Sequence, residues 1–176
     1  KLLSLLDQMQ QGQSSMCQGG GQEAAEDMRK AIDDINYLAE KQEGLINGVD
    51  KVMNNSEVLR DYAAQQQIIK ESVTGLQKRL EELGKQSPFV AAEMGNVVNA
   101  VVGNMNLAIE NFSERRRPQG MNAQKEALTN LNRAAVRMLD ALQNQKDCNK
   151  GGSSCNKPSL SMNSLCDKQQ QLNQQT

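Results

Sequence analysis

The side chains with the most chemistry in this sequence are the four cysteine thiols, Cys17, Cys148, Cys155 and Cys166. All four lie in stretches rich in glycine, serine or glutamine, outside the apolar helical repeats. An even number of cysteines outside a core is typical of disulfides in an oxidising compartment. Cys148 and Cys155 flank a short Gly/Ser loop and form the pair most easily closed, which leaves Cys17 for Cys166. Free thiols are an alternative, and so is a four-thiolate zinc site, although no Cys-x-x-Cys spacing supports zinc.

Other catalytic chemistry has few candidates here. The chain contains no histidine, which removes His-based acid–base catalysis, Cys–His and Ser–His nucleophiles, and the Glu-x-x-His ligands of di-iron bundles. The apolar repeats contain no Asp or Glu, and no Gly-rich loop joins a strand to a helix to cradle a phosphate. We therefore expect a protein that is not an enzyme, with no catalytic residue, cofactor or resident metal.

Two glutamines stand inside otherwise apolar repeats and are candidates for a polar layer in the core. Gln42 precedes the Asn54–Asn55 turn by about as many residues as Gln66 follows it, so an antiparallel pair of helices places them at similar depth. A buried amide pair lowers stability but can fix the register of the helices. The alternative is that one or both side chains lie at the edge of the repeat, in water.

A run of three arginines, Arg115 to Arg117, is the most concentrated positive charge in the sequence. One interpretation is a binding site for an acidic partner or a lipid headgroup. The other is a solvated helix end, because cations in a last turn interact favourably with the helix dipole.

The elements that must position these residues are long helices. Apolar residues recur at alternating steps of three and four, the spacing of a coiled-coil-like seam. This pattern predicts four helices, over 22–53, 57–84, 88–117 and 121–146. Ser87 and Pro88 suit a helix start, since serine accepts free backbone N–H groups and proline lacks the unneeded donor.

The remaining stretches are connections and ends. We interpret 1–21 as a short helix and a Gly/Ser/Gln linker, 147–160 as a Cys/Gly/Ser linker, and 161–176 as a weak Gln-rich helix. Short connections between helices of matched length favour antiparallel neighbours. The fold class is therefore all-α, an antiparallel up-down-up-down four-helix bundle; two long hairpins packed end to end or between chains are the alternative.

Composition limits the partners. Lys plus Arg number 20 and Asp plus Glu number 21, a balance that argues against nucleic-acid binding. No run of eighteen apolar residues is present, and the chain starts at Lys1 without a signal-peptide pattern, so we expect a piece of a longer polypeptide. The 21 glutamines and 17 asparagines give a weakly charged amide surface that suits association between helices.

Four segments carry a resemblance to a known family: QQQIIKESV (65–73), LGKQSPFV (83–90), ALTNLNRAAVRMLDAL (127–142) and QQQLNQQT (169–176). They resemble an uncharacterised family of very large bacterial envelope proteins, with transmembrane helices near the start and a long Gln/Met-rich helical remainder. The resemblance implies a membrane-anchored parent and an envelope location, and it assigns no functional residue. The Cys148–Cys155 loop departs from the cysteine-free Gly/Ser insert of those relatives.

Together these observations lead to a functional expectation. We expect a non-catalytic scaffold or interaction module of a larger envelope-associated assembly, periplasmic or otherwise extracytoplasmic. Its partners would be other protein subunits, and the membrane would be reached through an upstream segment of the parent. The alternative is a soluble helical module that holds a small ligand or lipid between its helices.

Overall fold

The structure, a computed structural model, describes residues 21–150 and consists there of four α-helices; the side chains of 91–93 and 148–150 are outside this description. The helices are α1 (Gly21–Asp50), α2 (Leu59–Gln86), α3 (Ala91–Ser113) and α4 (Arg117–Lys150). Helices α1 and α3 each pack against both α2 and α4, so the four form a closed ring of neighbours. The predicted all-α four-helix bundle is confirmed.

The interior of the bundle contains two separate apolar clusters. The large cluster fills the half that contains the α2–α3 connection, with Met28, Ile35, Val73, Leu76, Val101, Leu131 and Met138 among its members. The small cluster fills the half that contains the α1–α2 turn and consists of Ile46, Val49, Leu59, Ala63, Ala108, Phe112, Met121 and Ala123. Because aromatic side chains are scarce, aliphatic residues and methionine provide almost all of this buried surface.

Two glycines allow aromatic rings to pack closely on helix backbone. A Cβ atom added at Gly48 would lie 2.8 Å from the Tyr62 hydroxyl oxygen, and one added at Gly120 would overlap the ring of Phe112. Phe112 is completely buried in the small cluster. Gly48 therefore has a packing role within α1: Tyr62 of α2 occupies the space that a side chain at position 48 would need.

The expected start of the third helix is wrong by three residues. Helix α2 continues to Gln86, and Ser87 closes it, since the Ser87 N–H donates to the Leu83 carbonyl at 2.9 Å. A turn follows in which the Val90 N–H donates to the Ser87 carbonyl at 3.2 Å, and α3 begins at Ala91. The Ser87 hydroxyl does not cap α3, because it is buried and donates instead to Gln145 of α4.

The expected end of the third helix at Arg117 is also wrong. Helix α3 ends at Ser113, and Arg115 adopts a left-handed backbone conformation with φ of 61° that reverses the chain. Arg117 is the first residue of α4, which places Pro118 in the first turn, where its missing N–H is not needed. Proline therefore starts the fourth helix here and does not terminate the third.

Candidate functional site

Three glutamine side chains meet in the centre of the bundle and form what we call the amide layer: Gln42, Gln66 and Gln124. Gln42 Nε2 donates to Gln66 Oε1 at 3.0 Å, and Gln66 Nε2 donates back to Gln42 Oε1 at 2.7 Å. Gln124 Nε2 donates to the same Gln66 Oε1 at 2.9 Å. All three residues have 0 % exposure. The structure thus places Gln42 and Gln66 together in the interior, away from the aqueous edge.

The amide layer separates the two apolar clusters. On α1, Ala39 belongs to the large cluster and Ile46 to the small one, with Gln42 between them. Helix α3 crosses this level between Met105 of the large cluster and Ala108 of the small one, so it contributes no polar side chain. Three helices therefore provide amides at this level, and α3 provides none.

One buried atom in the layer has no hydrogen-bond partner among the described residues: Gln124 Oε1. Gln66 Oε1 accepts two hydrogen bonds and Gln42 Oε1 accepts one, so every other carbonyl of the layer is used. A buried acceptor without a donor lowers the stability of the fold by about 1–3 kcal/mol. This atom is the most unusual polar group in the described interior.

Sequence reasoning missed Gln124, although a signal for it was present. The seam of the fourth helix runs through Leu128, Leu131, Ala135, Met138 and Leu142. One step of four backward from Leu128 reaches Gln124, and one step of three forward from Leu142 reaches Gln145. Both glutamines are buried, with 0 % and 4 % exposure. Extending the heptad through polar residues would have identified them.

Gln145 forms the second buried polar contact, at the end of the bundle where α2 and α3 are joined. The Ser87 hydroxyl donates to Gln145 Oε1 at 2.9 Å, and Ser87 is 1 % exposed. This contact ties the α2–α3 connection to the last turns of α4. Both polar contacts of α4 satisfy groups of neighbouring helices, which is the behaviour expected of residues that set helix register.

The arginine run lies at the opposite end and holds the α1–α2 turn. Arg117 Nε donates to the Val49 carbonyl at 3.0 Å, and its Nη2 donates to the Asp50 carbonyl at 2.7 Å. Both carbonyls lie at the C-terminus of α1, where a cation also interacts well with the helix dipole, and that of Val49 accepts from the Val52 N–H as well. Arg115 pairs with Glu57 in the turn at 2.8 Å, and Arg116 pairs with Glu114. Arg117 therefore supports the end of α1 and not the end of its own preceding helix.

Arg117 also pairs with the Asp50 carboxylate at 3.0 Å, and the other ion pairs of the described residues are exposed and contribute little stability. Arg79 of α2 and Asp34 of α1 lie 2.7 Å apart, with 62 % and 40 % of their side chains exposed. On the outer face of α1, hydrogen bonds to Asp27 and then to Glu26 raise the pKa of Lys30 above its ordinary value. Among the described residues, the only titratable group with a clear pKa shift thus lies on the surface, whereas the amide layer is buried.

The outward side of α3 differs from the rest of the surface because it carries no charge from Met94 to Ile109. Asn99 and Asn106 on one flank accept hydrogen bonds from Gln77 and Lys70 of α2, both at 3.0 Å. The other exposed residues follow a 4-3-4 spacing and define what we call the α3 face: Asn96, Ala100, Gly103 and Leu107. Leu107 is 50 % exposed, and a Cβ atom added at Gly103 would meet nothing within 4 Å.

A shallow apolar groove lies between α2 and α3 near their connection. Its volume is about 360 Å³, and its lining includes Leu80, Val90, Met94 and Val98, with Gln77, Glu81 and Lys85 among the polar residues beside them. This volume is at the lower end of the range for small-ligand sites. The groove is the feature that bears on the alternative expectation of a ligand-binding module.

The cysteine predictions fall mostly outside the described residues. Cys17, Cys155 and Cys166 lie outside residues 21–150, and Cys148 lies in the last turn of α4, which extends four residues beyond the predicted end at Lys146. The disulfide pairing therefore stays a prediction. Within residues 21–150, no group of three or more His, Cys, Asp or Glu side chains is arranged to hold a metal ion, and no helix is long and apolar enough to cross a membrane.

Comparisons with protein-family models, with curated proteins and with solved structures find no match for this chain.

Proposed function

We propose that this chain is a non-catalytic helical scaffold whose α3 face docks other protein subunits of a larger, envelope-associated assembly. The observation that carries the proposal is the uncharged outward side of α3. Interface centres are depleted in charged residues, because each buried charge must lose its hydration. Small residues such as Ala100 and Gly103 let another helix approach closely, while Asn96 and Leu107 supply a hydrogen-bonding group and an apolar contact.

The interior of the bundle supports the same proposal. Its buried polar contacts, the hydrogen bonds of the amide layer and the Ser87–Gln145 contact, link side chains of different helices and connections and so favour one arrangement of the bundle. Such an arrangement provides a stable platform for a docking face. The envelope location, and anchoring through an upstream segment of the parent, follow from the family resemblance of the sequence.

Site-specific photo-crosslinking in the parent protein tests this proposal. Benzoylphenylalanine at Ala100 is expected to give discrete adducts of higher mass in cells. Gly103→Lys should abolish them, because it places a charged side chain in the centre of the α3 face. Gly75→Lys is the matched control: Gly75 is also an exposed helical glycine with nothing within 4 Å of an added Cβ, but it lies on α2. Equal loss of adducts in both variants, or no adduct at all, would refute the proposal.

The apolar groove supports a second candidate function, the binding of a small apolar ligand or a lipid chain between α2 and α3. The fluorescence of N-phenyl-1-naphthylamine should rise when the probe enters the groove. Gly95→Phe should remove that rise by filling the groove, since Gly95 lines it and has open space around its Cα. Gly75→Phe is the control and should leave the signal unchanged. A signal that survives Gly95→Phe would exclude the groove as the site.

A further inference from the structure

The amide layer has an unequal balance of donors and acceptors. Each of its three glutamines carries one carbonyl oxygen and one NH2 group with two hydrogens. One hydrogen of each Nε2 is used within the layer, and all three are accepted by Gln66 Oε1 or Gln42 Oε1. Gln124 Oε1 accepts none, although it is shielded from bulk solvent. The layer therefore contains one free acceptor beside NH2 groups whose second hydrogens have no partner within it.

Several of the residues in the small cluster beside the layer have short side chains. The three helices that bring long amides occupy three corners of the layer. Helix α3 brings no amide to the layer, and its Ala108 belongs, with Ala63 and Ala123, to the small cluster on one side of the layer. A buried water molecule needs space for about one probe sphere and two to four polar partners. The free acceptor and the spare donors of the layer supply the polar partners, and we expect the space beside the short alanine side chains.

We propose that the amide layer binds one internal water molecule as its fourth member. The water donates a hydrogen bond to Gln124 Oε1 and accepts one from an unused Nε2 hydrogen of Gln42 or Gln66. A metal cation is a poorer occupant, because the other two carbonyl oxygens already accept N–H groups and no described carboxylate belongs to the layer. With the water in place, every carbonyl of the layer has a partner.

Nuclear magnetic resonance on the intact chain tests this directly. A water that tumbles with the protein gives NOE and ROE cross-peaks of opposite sign to the side-chain NH2 groups of Gln42 and Gln66. Hydrogen exchange with bulk water gives the same sign in both spectra, so the two processes are distinguished. Opposite-sign peaks that vanish in Gln124→Met support the proposal. Resolved NH2 signals without such peaks in the unmodified chain overturn it.

Stability provides a second, independent measurement. If Gln124 Oε1 had no partner, Gln124→Met would remove an unsatisfied buried acceptor and lose only one hydrogen bond, to a Gln66 Oε1 that keeps its bond from Gln42. The folding equilibrium constant would then rise, by about fivefold where the unsatisfied acceptor costs about 1 kcal/mol more than that bond contributes. If a water satisfies that oxygen, the variant loses a complete hydrogen-bonding group, and the constant is expected to stay level or fall. Gln65→Met, at an exposed position of α2, is the matched control for a change of side-chain type. A fivefold gain specific to Gln124→Met would overturn the proposal.

Discussion

Gln66 connects the whole amide layer, and its replacement by methionine tests whether the layer acts as one network. It takes part in all three hydrogen bonds, since its Oε1 accepts from Gln42 and Gln124 and its Nε2 donates to Gln42. Methionine is similar to glutamine in length and volume, so Gln66→Met keeps the packing and removes the polar groups. The change leaves the amides of Gln42 and Gln124 buried without their partner.

The size of the effect follows from the groups that lose partners. Gln66→Met leaves Oε1 and Nε2 of Gln42 and Nε2 of Gln124 unpaired, and at about 1–3 kcal/mol each, reduced by relaxation, we expect a loss of about 3–6 kcal/mol. That is a large part of the roughly 5–15 kcal/mol by which domains are stable. Gln42→Met leaves only Gln66 Nε2 unpaired, because Gln124 still donates to Gln66 Oε1, so its loss should be about 1–3 kcal/mol. Methionine at all three positions removes every polar group and should be within about 1 kcal/mol of the unmodified chain, or above it.

Urea unfolding followed by far-ultraviolet circular dichroism measures these differences, since the chain has no tryptophan and the described part is helical. Unchanged m values would show that each variant exposes the same surface on unfolding. The reasoning predicts that the triple variant is more stable than the single Gln66→Met variant. It fails if Gln66→Met loses no more free energy than Gln42→Met, or if the triple variant is the least stable of the set.

Two further predictions concern close packing and helix capping. Gly44→Ala should raise the free energy of unfolding by about 1 kcal/mol, because Gly44 is exposed in a helix with open space around it. Gly48→Ala should lower it, because the added Cβ would lie 2.8 Å from the Tyr62 hydroxyl; shortening Tyr62 to alanine should make the two substitutions equivalent, and persistence of the difference would refute the packing argument. Arg117→Met should lower the free energy of unfolding by about 1–2 kcal/mol and speed hydrogen exchange in the last turn of α1, because it removes the donors to the Val49 and Asp50 carbonyls and the ion pair with Asp50. Arg116→Met, which breaks only an exposed pair with Glu114, should change stability by less than about 0.5 kcal/mol, and equal effects of the two arginines would contradict the capping role.

The sequence predicted the helices well because their seams are long and regular. A repeat of apolar residues at steps of three and four predicts a helix whose apolar seam packs against the seams of other helices. Gln66 was found in the same way, since it replaces an apolar residue inside such a repeat. Gln124 was missed because it stands at the end of its seam, where a polar residue is equally consistent with the repeat having stopped.

Helix boundaries were predicted less well because the local signals had two meanings. Ser87 suits the start of a helix, but its hydroxyl lies within reach of Gln145, a residue far away in the sequence. Pro118 both terminates helices and begins them, and the left-handed conformation of Arg115 decides between these roles. Tertiary contacts and one backbone angle settle these boundaries, and neither is visible in a local pattern.

The position of α1 along its neighbours depends on polar contacts more than the positions of the other helices do. Residues 87–90 and 114–116 are short connections between α2, α3 and α4, whereas the connection before α2, 51–58, is longer and is held by contacts of Arg115 and Arg117. A slide of one heptad would preserve the apolar pattern of α1, because its seam repeats every seven residues. It would also move Gln42 into an apolar layer and remove a partner from Gln66, leaving several buried groups unpaired at about 1–3 kcal/mol each. We therefore expect the amide layer to select one register of α1 among several whose apolar contacts differ little in free energy. It does so at the level where the two apolar clusters meet.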